Sequence, residues 1–285
     1  MSVPIPDDVV WPRGRLRLSE RVHVMGILNV TPDSFSDGGL HADPDSAVEA
    51  ALRMVEEGAD IIDVGGESTR PGAPEVPADE EIRRVASVIG NLREKSRVPI
   101  SIDTRKAAVA RAALDAGADI VNDVSALRDD PALGPLCAER ECPVVLMHMK
   151  GTPRTMQADP RYGDVVAEVR DFLTDAVSRA EDAGIARELT IVDPGIGFGK
   201  TVAHNLELVN RLDELGETGR PVLLGASRKS FIGKTLDIDS PAERLEGTLA
   251  VTALGVARGA RIMRVHDVKA NVRVVRMAEA VTATR

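Results

Sequence analysis

The sequence predicts a single (β/α)8 barrel. Three segments open on the same phrase, Gly-Ala-Asp or Gly-Ala-Arg, followed by an apolar run, and they begin at Gly58, Gly117 and Gly259. Each follows a helical pattern, and glycine suits the left-handed turn that ends a helix. The apolar runs are typical of parallel strands buried on both faces. Such repeated units predict a β/α array, and an aromatic content of only 2% fits a barrel core built from aliphatic side chains.

The N-terminal region is predicted to lie outside the repeated units. Residues 1–14 are rich in proline and predict a loose lead-in, which leaves residues 15–285 as one barrel domain. Residues 16–18 and 22–24 alternate between apolar and polar on either side of a polar turn. This pattern predicts a β-hairpin, which we expect to cap the bottom of the barrel.

Eight buried strands and eight amphipathic helices alternate along the rest of the chain. The strands are predicted near residues 24–28, 60–64, 98–102, 119–122, 143–147, 189–192, 221–226 and 261–265. The helices are predicted over residues 45–57, 78–92, 106–116, 132–138, 165–183, 205–215, 242–257 and 268–281. No long polar linker divides them, which favours one closed barrel. An open doubly wound sheet is the alternative, but it would normally carry a glycine-rich phosphate turn after its first strand, where this chain has Asn29-Val-Thr-Pro.

Composition excludes several classes of function. A net charge of -9 and the small aromatic content argue against a nucleic-acid partner. No apolar run is long enough to predict a membrane span, and the N-terminus has no apolar signal region, so we expect a cytoplasmic protein. Cys137 and Cys142 are predicted to be small buried apolar residues rather than a redox or metal pair.

Nearly every predicted strand ends in a polar residue. The carboxyl ends of barrel strands meet at one mouth, so these side chains predict a small-molecule site there. The residues are Asn29, the loop 65–72, Asp103, Asn122, His148, Asp193, the loop 227–230, Arg264 and His266.

The residues at the predicted mouth divide by their chemistry. Asp103, Asn122 and Asp193 suit the donors and acceptors of a flat heterocycle, although either aspartate could instead cap a helix. A second group of cationic and amide side chains suits a polyphosphate with or without Mg²⁺, and it comprises Asn29, Thr69, Arg70, Arg264 and His266. Lys229 could form a Schiff base, but its position on a polar loop favours an electrostatic role.

Long motifs give the chain a resemblance to a known family. Residues 26–39 and 63–72 resemble the two signature motifs of the dihydropteroate synthases. The resemblance continues through residues 101–104, 121–124, 193–200, 225–230 and 264–267. It covers nearly everything from Leu16 to Val281, in the same order along the chain.

The resemblance implies a TIM-barrel transferase of folate biosynthesis that is a homodimer and a sulfonamide target. Such an enzyme joins 6-hydroxymethyl-7,8-dihydropterin diphosphate to 4-aminobenzoate by an SN1-like path and releases diphosphate. The resemblance implies that Asp103, Asn122, Met147, Asp193 and Lys229 bind the pterin; Asn29, Thr69, Arg70, Arg264 and His266 bind the diphosphate; and Phe35, Pro71, Phe198 and Ser230 bind the aminobenzoate, close to Lys229. It also implies Mg²⁺ on Asn29 and catalytic roles for Asp103, Lys229, Arg264 and His266.

Two other functions stay open at this point. A pterin-dependent methyltransferase would share the barrel and the Asp/Asn pocket, but it needs no diphosphate-binding group. A catalytically silent relative would bind pterin without turnover, but such relatives diverge in the loops at residues 65–72 and 227–230, which are intact here.

Overall fold

The computed structural model describes residues 8–31, 44–68, 75–151, 156 and 159–283. It begins with an antiparallel hairpin, in which β1 (Val9–Trp11) pairs with β2 (Gly14–Leu16). A Cβ added to Gly14 would lie 2.7 Å from the Trp11 ring. Glycine at this position therefore lets the indole lie against the turn.

A hairpin was predicted correctly, but its position was predicted wrongly. Residues 16–18 do not pair with residues 22–24, because His23 and Val24 open the first strand of the barrel. Residues 9–14 belong to the hairpin instead of to a loose lead-in. The hairpin does cover the bottom of the barrel: Trp11 Nε1 donates to Asp119 Oδ1 at 3.4 Å and Arg13 donates to the Ala118 carbonyl, both just before a barrel strand.

Eight parallel strands form the barrel, as predicted. They are β3 (His23–Asn29), β4 (Ile61–Gly65), β5 (Ile100–Asp103), β6 (Ile120–Asp123), β7 (Val144–Met147), β8 (Thr190–Asp193), β9 (Leu223–Leu224) and β10 (Ile262–Val265). Their order in the sheet is β8-β7-β6-β5-β4-β3-β10-β9. Between β8 and β9 there is only an isolated bridge from Val192 to Val222, with the Val192 amide 2.9 Å from the Pro221 carbonyl. The barrel is therefore nearly closed, and its seam lies between β8 and β9.

Nine α-helices are found in the described part of the chain. They are α1 (Pro44–Glu56), α2 (Ala78–Lys95), α3 (Ala107–Ala116), α4 (Leu133–Glu139), α5 (Val165–Asp182), α6 (Val202–Asn210), α7 (Ser230–Leu236), α8 (Leu245–Ala257) and α9 (Val268–Thr282). Within the described ranges, none of them has the length and apolar character to cross a membrane.

The structure differs from the predicted elements in three places. Helix α7 was not predicted, and its buried residues Phe231 and Ile232 add a short element between β9 and α8. The helix predicted over 205–215 stops at Asn210 and continues as a 3₁₀ segment, Leu212–Thr218, which Gly219 ends in the left-handed conformation. The strand predicted over 221–226 forms a ladder only at Leu223–Leu224, with one further isolated bridge at Val222.

The repeated glycine phrase has the predicted conformation. Gly58, Gly117 and Gly259 have φ values of 102°, 117° and 91°. These angles lie in the left-handed region, which a glycine adopts without steric cost. Each glycine thus turns the chain from a helix back into the barrel.

Candidate active site

Four strand ends lie side by side at the mouth of the barrel. Strand pairing places Asn29 of β3 beside Gly65 of β4, Gly65 beside Asp103 of β5, and Asp103 beside Asn122 of β6. The predicted convergence of these polar residues is therefore observed. Asp103 and Asn122 are buried, and Asp103 Oδ1 has no hydrogen-bond partner among the residues that the structure describes. A buried acceptor without a partner is costly, so this oxygen is suited to a ligand donor.

Arg264 lies between two buried carboxylates. Its Nε donates to Asp63 Oδ2 at 2.6 Å and its Nη2 donates to Asp103 Oδ2 at 2.7 Å. Asn122 Nδ2 donates to the same Asp63 oxygen at 3.1 Å. Asp63 is completely buried in β4 and was not predicted as a site residue. It links Arg264 of β10 to Asn122 of β6, so it fixes the direction of both side chains.

The charged groups of this cluster shift one another's pKa values. Burial raises the pKa of Asp103 to about 7; Arg264 opposes this rise, and the nearby charge of Asp63 adds to it. Burial alone would lower the pKa of Arg264, but Asp63 and Asp103 more than compensate, so its pKa lies above the ordinary value. Arg264 is thus a fixed cation, while Asp103 can change its charge near neutral pH.

Asp193 and Lys229 form a second charged group, on the two sides of the seam. Burial raises the pKa of Asp193, and the Lys229 charge opposes the rise. Burial also lowers the pKa of Lys229 to about 8, against the attraction of Asp193. The Lys229 ammonium donates to the Ile196 carbonyl and lies 4.6 Å from the centre of the Phe198 ring. Lys229 therefore points into the mouth although it lies on a loop.

The position of Gly225 shows how close the Asp193–Lys229 group lies to the Arg264 cluster. A Cβ added to Gly225 would lie 3.7 Å from Asp193 Oδ2 and 3.8 Å from the Arg264 side chain. Asp193 and Arg264 thus face the same small space at the end of β9, and the glycine leaves that space open. The two charged groups belong to one site.

An apolar wall lies on one side of the mouth. Val124, Met147, Met149 and Met156 form a buried cluster of their own, separate from the barrel core, and Phe198 packs against it. Of these residues, Met147 and Phe198 were predicted to contact ligands. Methionine side chains adapt their shape to a flat partner, so the wall suits one face of a planar ring.

The last strand leads to a second set of polar residues. His266 Nδ1 lies 3.0 Å from Ser227 Oγ, and the His266 amide donates to the same oxygen at 3.2 Å. Arg228 forms two hydrogen bonds to the Asp267 carboxylate, at 3.0 and 2.5 Å. These contacts fasten the loop 227–229 to the end of β10. His266 is thereby placed beside the mouth, two residues beyond Arg264.

The predicted ligand-contacting residues are only partly described. Ser230 is exposed and is the first residue of α7, directly after Lys229. Phe35, Thr69, Arg70 and Pro71 lie outside the described residues. No group of three or more metal-binding side chains of the His, Cys, Asp or Glu types is found in the described ranges.

Comparison with known proteins supports the family resemblance seen in the sequence. The family described as pterin binding enzyme matches residues 25–266. The dihydropteroate synthase of Escherichia coli (strain K12) is 49% identical over 263 residues, which are 92% of this chain and 93% of that protein. The structure of Xanthomonas albilineans dihydropteroate synthase with 4-aminobenzoic acid superposes with a TM-score of 0.91 at 47% identity, covering 98% of this chain and 99% of that chain.

A second solved structure leads to the same family. Yersinia pestis dihydropteroate synthase in complex with a sulfonamide drug superposes with a TM-score of 0.91 at 44% identity, covering 97% of this chain and 99% of that chain. The likeness extends over nearly the whole length of both chains. The chain therefore belongs to the dihydropteroate synthase family of pterin-binding enzymes.

Proposed function

We propose that the protein joins 6-hydroxymethyl-7,8-dihydropterin diphosphate to 4-aminobenzoate to form 7,8-dihydropteroate and diphosphate, a transferase step of folate biosynthesis. The observation that carries this proposal is the row of Asp103 and Asn122 with one unpartnered buried carboxylate oxygen, in a chain of this family. The amino and ring N–H groups of a pterin would supply the donors that this row needs.

The pterin is proposed to lie between the two charged groups of the mouth. Asp103 and Asn122 would contact one part of the ring, and Asp193 would accept from its amidine-like edge. Lys229 would donate to a ring acceptor, and Met147 would cover a face of the ring. Because Arg264 bonds both Asp63 and Asp103, its first effect would be to hold this pocket in shape.

The reaction is proposed to follow an SN1-like path. The bond between the pterin methylene carbon and the diphosphate oxygen breaks, and diphosphate leaves with the electron pair. The electron-rich dihydropterin spreads the positive charge, and the carboxylates Asp103 and Asp193 are placed to stabilise it. The neutral amine of 4-aminobenzoate then forms the new C–N bond and releases its proton to solvent.

The departing diphosphate needs cationic or amide partners. His266 lies beside the mouth, and we propose that it binds the diphosphate together with Arg264, Thr69 and Arg70. The aminobenzoate would lie against Phe198 and Ser230, with Phe35 and Pro71 as further proposed contacts. An aromatic amine is a sufficient nucleophile when neutral, so no strong general base is required of these groups.

We propose Mg²⁺ as the cofactor, bound through Asn29. The residues fit a metal that arrives with its substrate, because Asn29 supplies an amide oxygen at the end of β3 while Asp63 and Asp103 are bonded to Arg264. Mg²⁺ is commonly held by one or two protein oxygens together with substrate phosphates and water. Bound there, it would neutralise charge on the leaving diphosphate.

A homodimer and a cytoplasmic location are also proposed. Helix α8 has a single charged residue, Glu246, and leaves Leu254 54% exposed; on the adjacent α9, Met277 is 64% exposed. A second copy of the chain would cover these apolar side chains. Sedimentation of the wild type beside a Leu254→Glu/Met277→Glu variant tests this: the wild type should be dimeric and the variant monomeric, and a monomeric wild type at micromolar concentration would contradict the proposal.

The activity is tested by incubating the purified protein with both substrates and Mg²⁺. Release of diphosphate should require both substrates and should equal the dihydropteroate formed. Pterin binding in calorimetry without diphosphate release would indicate a silent relative. Methyl transfer from a methylated folate would indicate a pterin-dependent methyltransferase.

A further inference from the structure

A buried lysine lies beneath the loop that joins β8 to α6. Lys200 is 3% exposed. Its Nζ lies 2.8 Å from His148 Nδ1, 3.0 Å from the Gly195 carbonyl and 3.0 Å from the Phe198 carbonyl. An ammonium group has three N–H donors and no acceptor. Burial lowers the pKa of Lys200 well below its ordinary value, and the charge of Asp193 opposes this shift. As an ammonium, Lys200 meets three acceptors with its three donors, and two of these acceptors belong to the same loop.

His148 is the side-chain partner of this lysine. Burial, and after it the Lys200 charge, lower the pKa of His148 to about 2. The imidazole is therefore neutral at physiological pH. When Lys200 is an ammonium it donates to Nδ1, and the ring proton is then on Nε2. The pair joins the end of β7 to the loop above it.

The loop 194–199 is folded tightly against this pair. Gly195, Gly197 and Gly199 have φ values of 65°, 84° and 64°, in the left-handed region. A Cβ added to Gly195 would lie 1.9 Å from the His148 carbonyl oxygen, so only glycine fits there. The Phe198 amide donates to the Gly195 carbonyl at 3.0 Å. The loop is thus a compact turn, and Lys200 donates to both of its ends.

The upper side of the same loop contacts the proposed ligand groups. The Ile196 carbonyl accepts from Lys229, and the Phe198 ring lies 4.6 Å from the Lys229 ammonium. The Gly195 amide donates to Asp193 Oδ1 at 2.7 Å. Lys200 bonds none of these side chains, but the backbone that it holds carries or contacts all of them.

We propose that Lys200 is a positioning residue for the reaction: through the Gly195 and Phe198 carbonyls it sets the place of the Phe198 ring and the Lys229 ammonium, and so determines the affinity for 4-aminobenzoate. The inference rests on the proposed function. It predicts an asymmetry between the two substrates. Of the groups that would bind the pterin, Asp103 and Asn122 are fixed by strand pairing in β5 and β6, while Asp193 and Lys229 contact the loop only through its backbone at Gly195 and Ile196. Phe198 is part of the loop itself, so the affinity for 4-aminobenzoate should fall more than the affinity for the pterin.

The experiment uses Lys200→Met, which keeps an apolar stem of similar length and removes all three donors. We expect the KM for 4-aminobenzoate to rise about tenfold, the scale of one lost charge-assisted hydrogen bond. The KM for the pterin diphosphate should change by less than about threefold, which is under 1 kcal/mol. The control is Thr252→Val, which removes the buried hydrogen bond of 2.7 Å to Asn271 between α8 and α9. It should lower the melting temperature and leave both KM values unchanged.

A second measurement does not depend on activity. The chain has four phenylalanines, so 4-fluorophenylalanine labelling gives four ¹⁹F NMR signals, and a Phe198→Leu variant assigns the relevant one. In Lys200→Met the Phe198 signal should shift or broaden, while the Phe231 signal should stay in place. If wild-type protein showed no turnover, the proposed function would fail, but this spectrum would still decide whether Lys200 positions Phe198.

Two results would overturn the inference. One is an unmoved Phe198 signal in Lys200→Met; the other is an equal rise in both KM values, which would indicate a general structural role. If Lys200→Met does not fold, Lys200→Gln, which is neutral but retains an amide donor, is compared with Thr252→Val in the same two measurements, with the same criteria.

Discussion

Replacing Arg264 tests whether the barrel mouth is held together by a buried ion network. The change Arg264→Met keeps the apolar stem and removes the guanidinium. It breaks the bonds of 2.6 and 2.7 Å to Asp63 and Asp103, whose side chains are 0% and 8% exposed. Removing one partner of a buried ion pair costs about 3–5 kcal/mol, because the remaining charge has no compensation. For a chain of this size that is a fall in melting temperature of about 6–10 °C.

The pH dependence of this loss gives a sharper test. Without Arg264, the charge that opposes the high pKa of Asp103 is missing, so the pKa of Asp103 should rise further above about 7. At pH 5 Asp103 is protonated in both proteins, and only Asp63 loses its partner. At pH 8 the wild type holds Asp103 as a carboxylate bonded to Arg264. The fall in melting temperature should therefore be larger at pH 8 than at pH 5.

The control variant replaces Arg211, which forms more ion pairs than Arg264 but is more exposed. Arg211 contacts Asp164, Glu207 and Glu214 on the surface. Surface ion pairs contribute little, so Arg211→Met should change the melting temperature much less, at either pH. Thermal unfolding followed by circular dichroism measures all three proteins. An Arg264→Met loss no larger than that of Arg211→Met, or one independent of pH, would refute the ion-network interpretation.

Three further predictions concern the same mouth. Asp63→Asn should lower kcat/KM in the diphosphate-release assay by roughly tenfold to a hundredfold, because Arg264 loses a charge-assisted bond worth about 1.5–3 kcal/mol; an unchanged value would remove Asp63 from the site. In the wild type, folded Asp103 keeps its proton up to a pKa of about 7, whereas in the unfolded chain it loses the proton near 3.8. The stability that Asp103 contributes therefore declines as pH rises from about 3.8 to about 7. Asp103→Asn should flatten the decline in melting temperature between pH 4.5 and 7, and an equal slope in both proteins would contradict this. A sulfonamide should inhibit competitively against 4-aminobenzoate, as the complex of the Yersinia pestis relative suggests; full activity at a large excess of drug would show that this pocket rejects it.

The barrel and much of its mouth could be predicted from local patterns. Apolar runs between helical segments place each barrel strand within a few residues of its observed position. Parallel strands in a barrel send their carboxyl ends to the same side, so the grouping of Asp103, Asn122 and Asp193 followed from the strand assignment alone. The hairpin was misplaced because Leu16 and Leu18 are buried on either side of the exposed Arg17, a strand-like alternation, although residues 16–18 do not pair with residues 22–24. The turn at Pro12-Arg13-Gly14 was the better signal.

Asp63 and Lys200 were missed because their partners are distant in the sequence. Asp63 lies 201 residues before Arg264, and Lys200 lies 52 residues after His148. Both Asp63 and Arg264 are charges inside apolar strands, where an unpaired charge is costly. A charge inside an apolar strand signals a buried partner, so this reasoning applied to both residues would have predicted the pair. Lys200 lacks such a signal, since its burial is produced by how the loop 194–199 folds.

The seam between β8 and β9 has a consequence for the motion of the barrel. Strands joined by a full ladder open together, whereas a single bridge can break without disturbing its neighbours. The Val192 amide, bonded across the seam to Pro221, should therefore exchange with deuterated solvent faster than the Val121 amide, which bonds to Pro143 within a continuous pair of strands.

Asp193 and Lys229 lie on opposite sides of this seam. A pterin bound by both residues would connect the ends of β8 and β9 across the seam, where the barrel has only one bridge. Ligand binding should then slow exchange at Val192 while leaving Val121 nearly as it was. Occupancy of the mouth would thereby stiffen the barrel wall along the seam between β8 and β9.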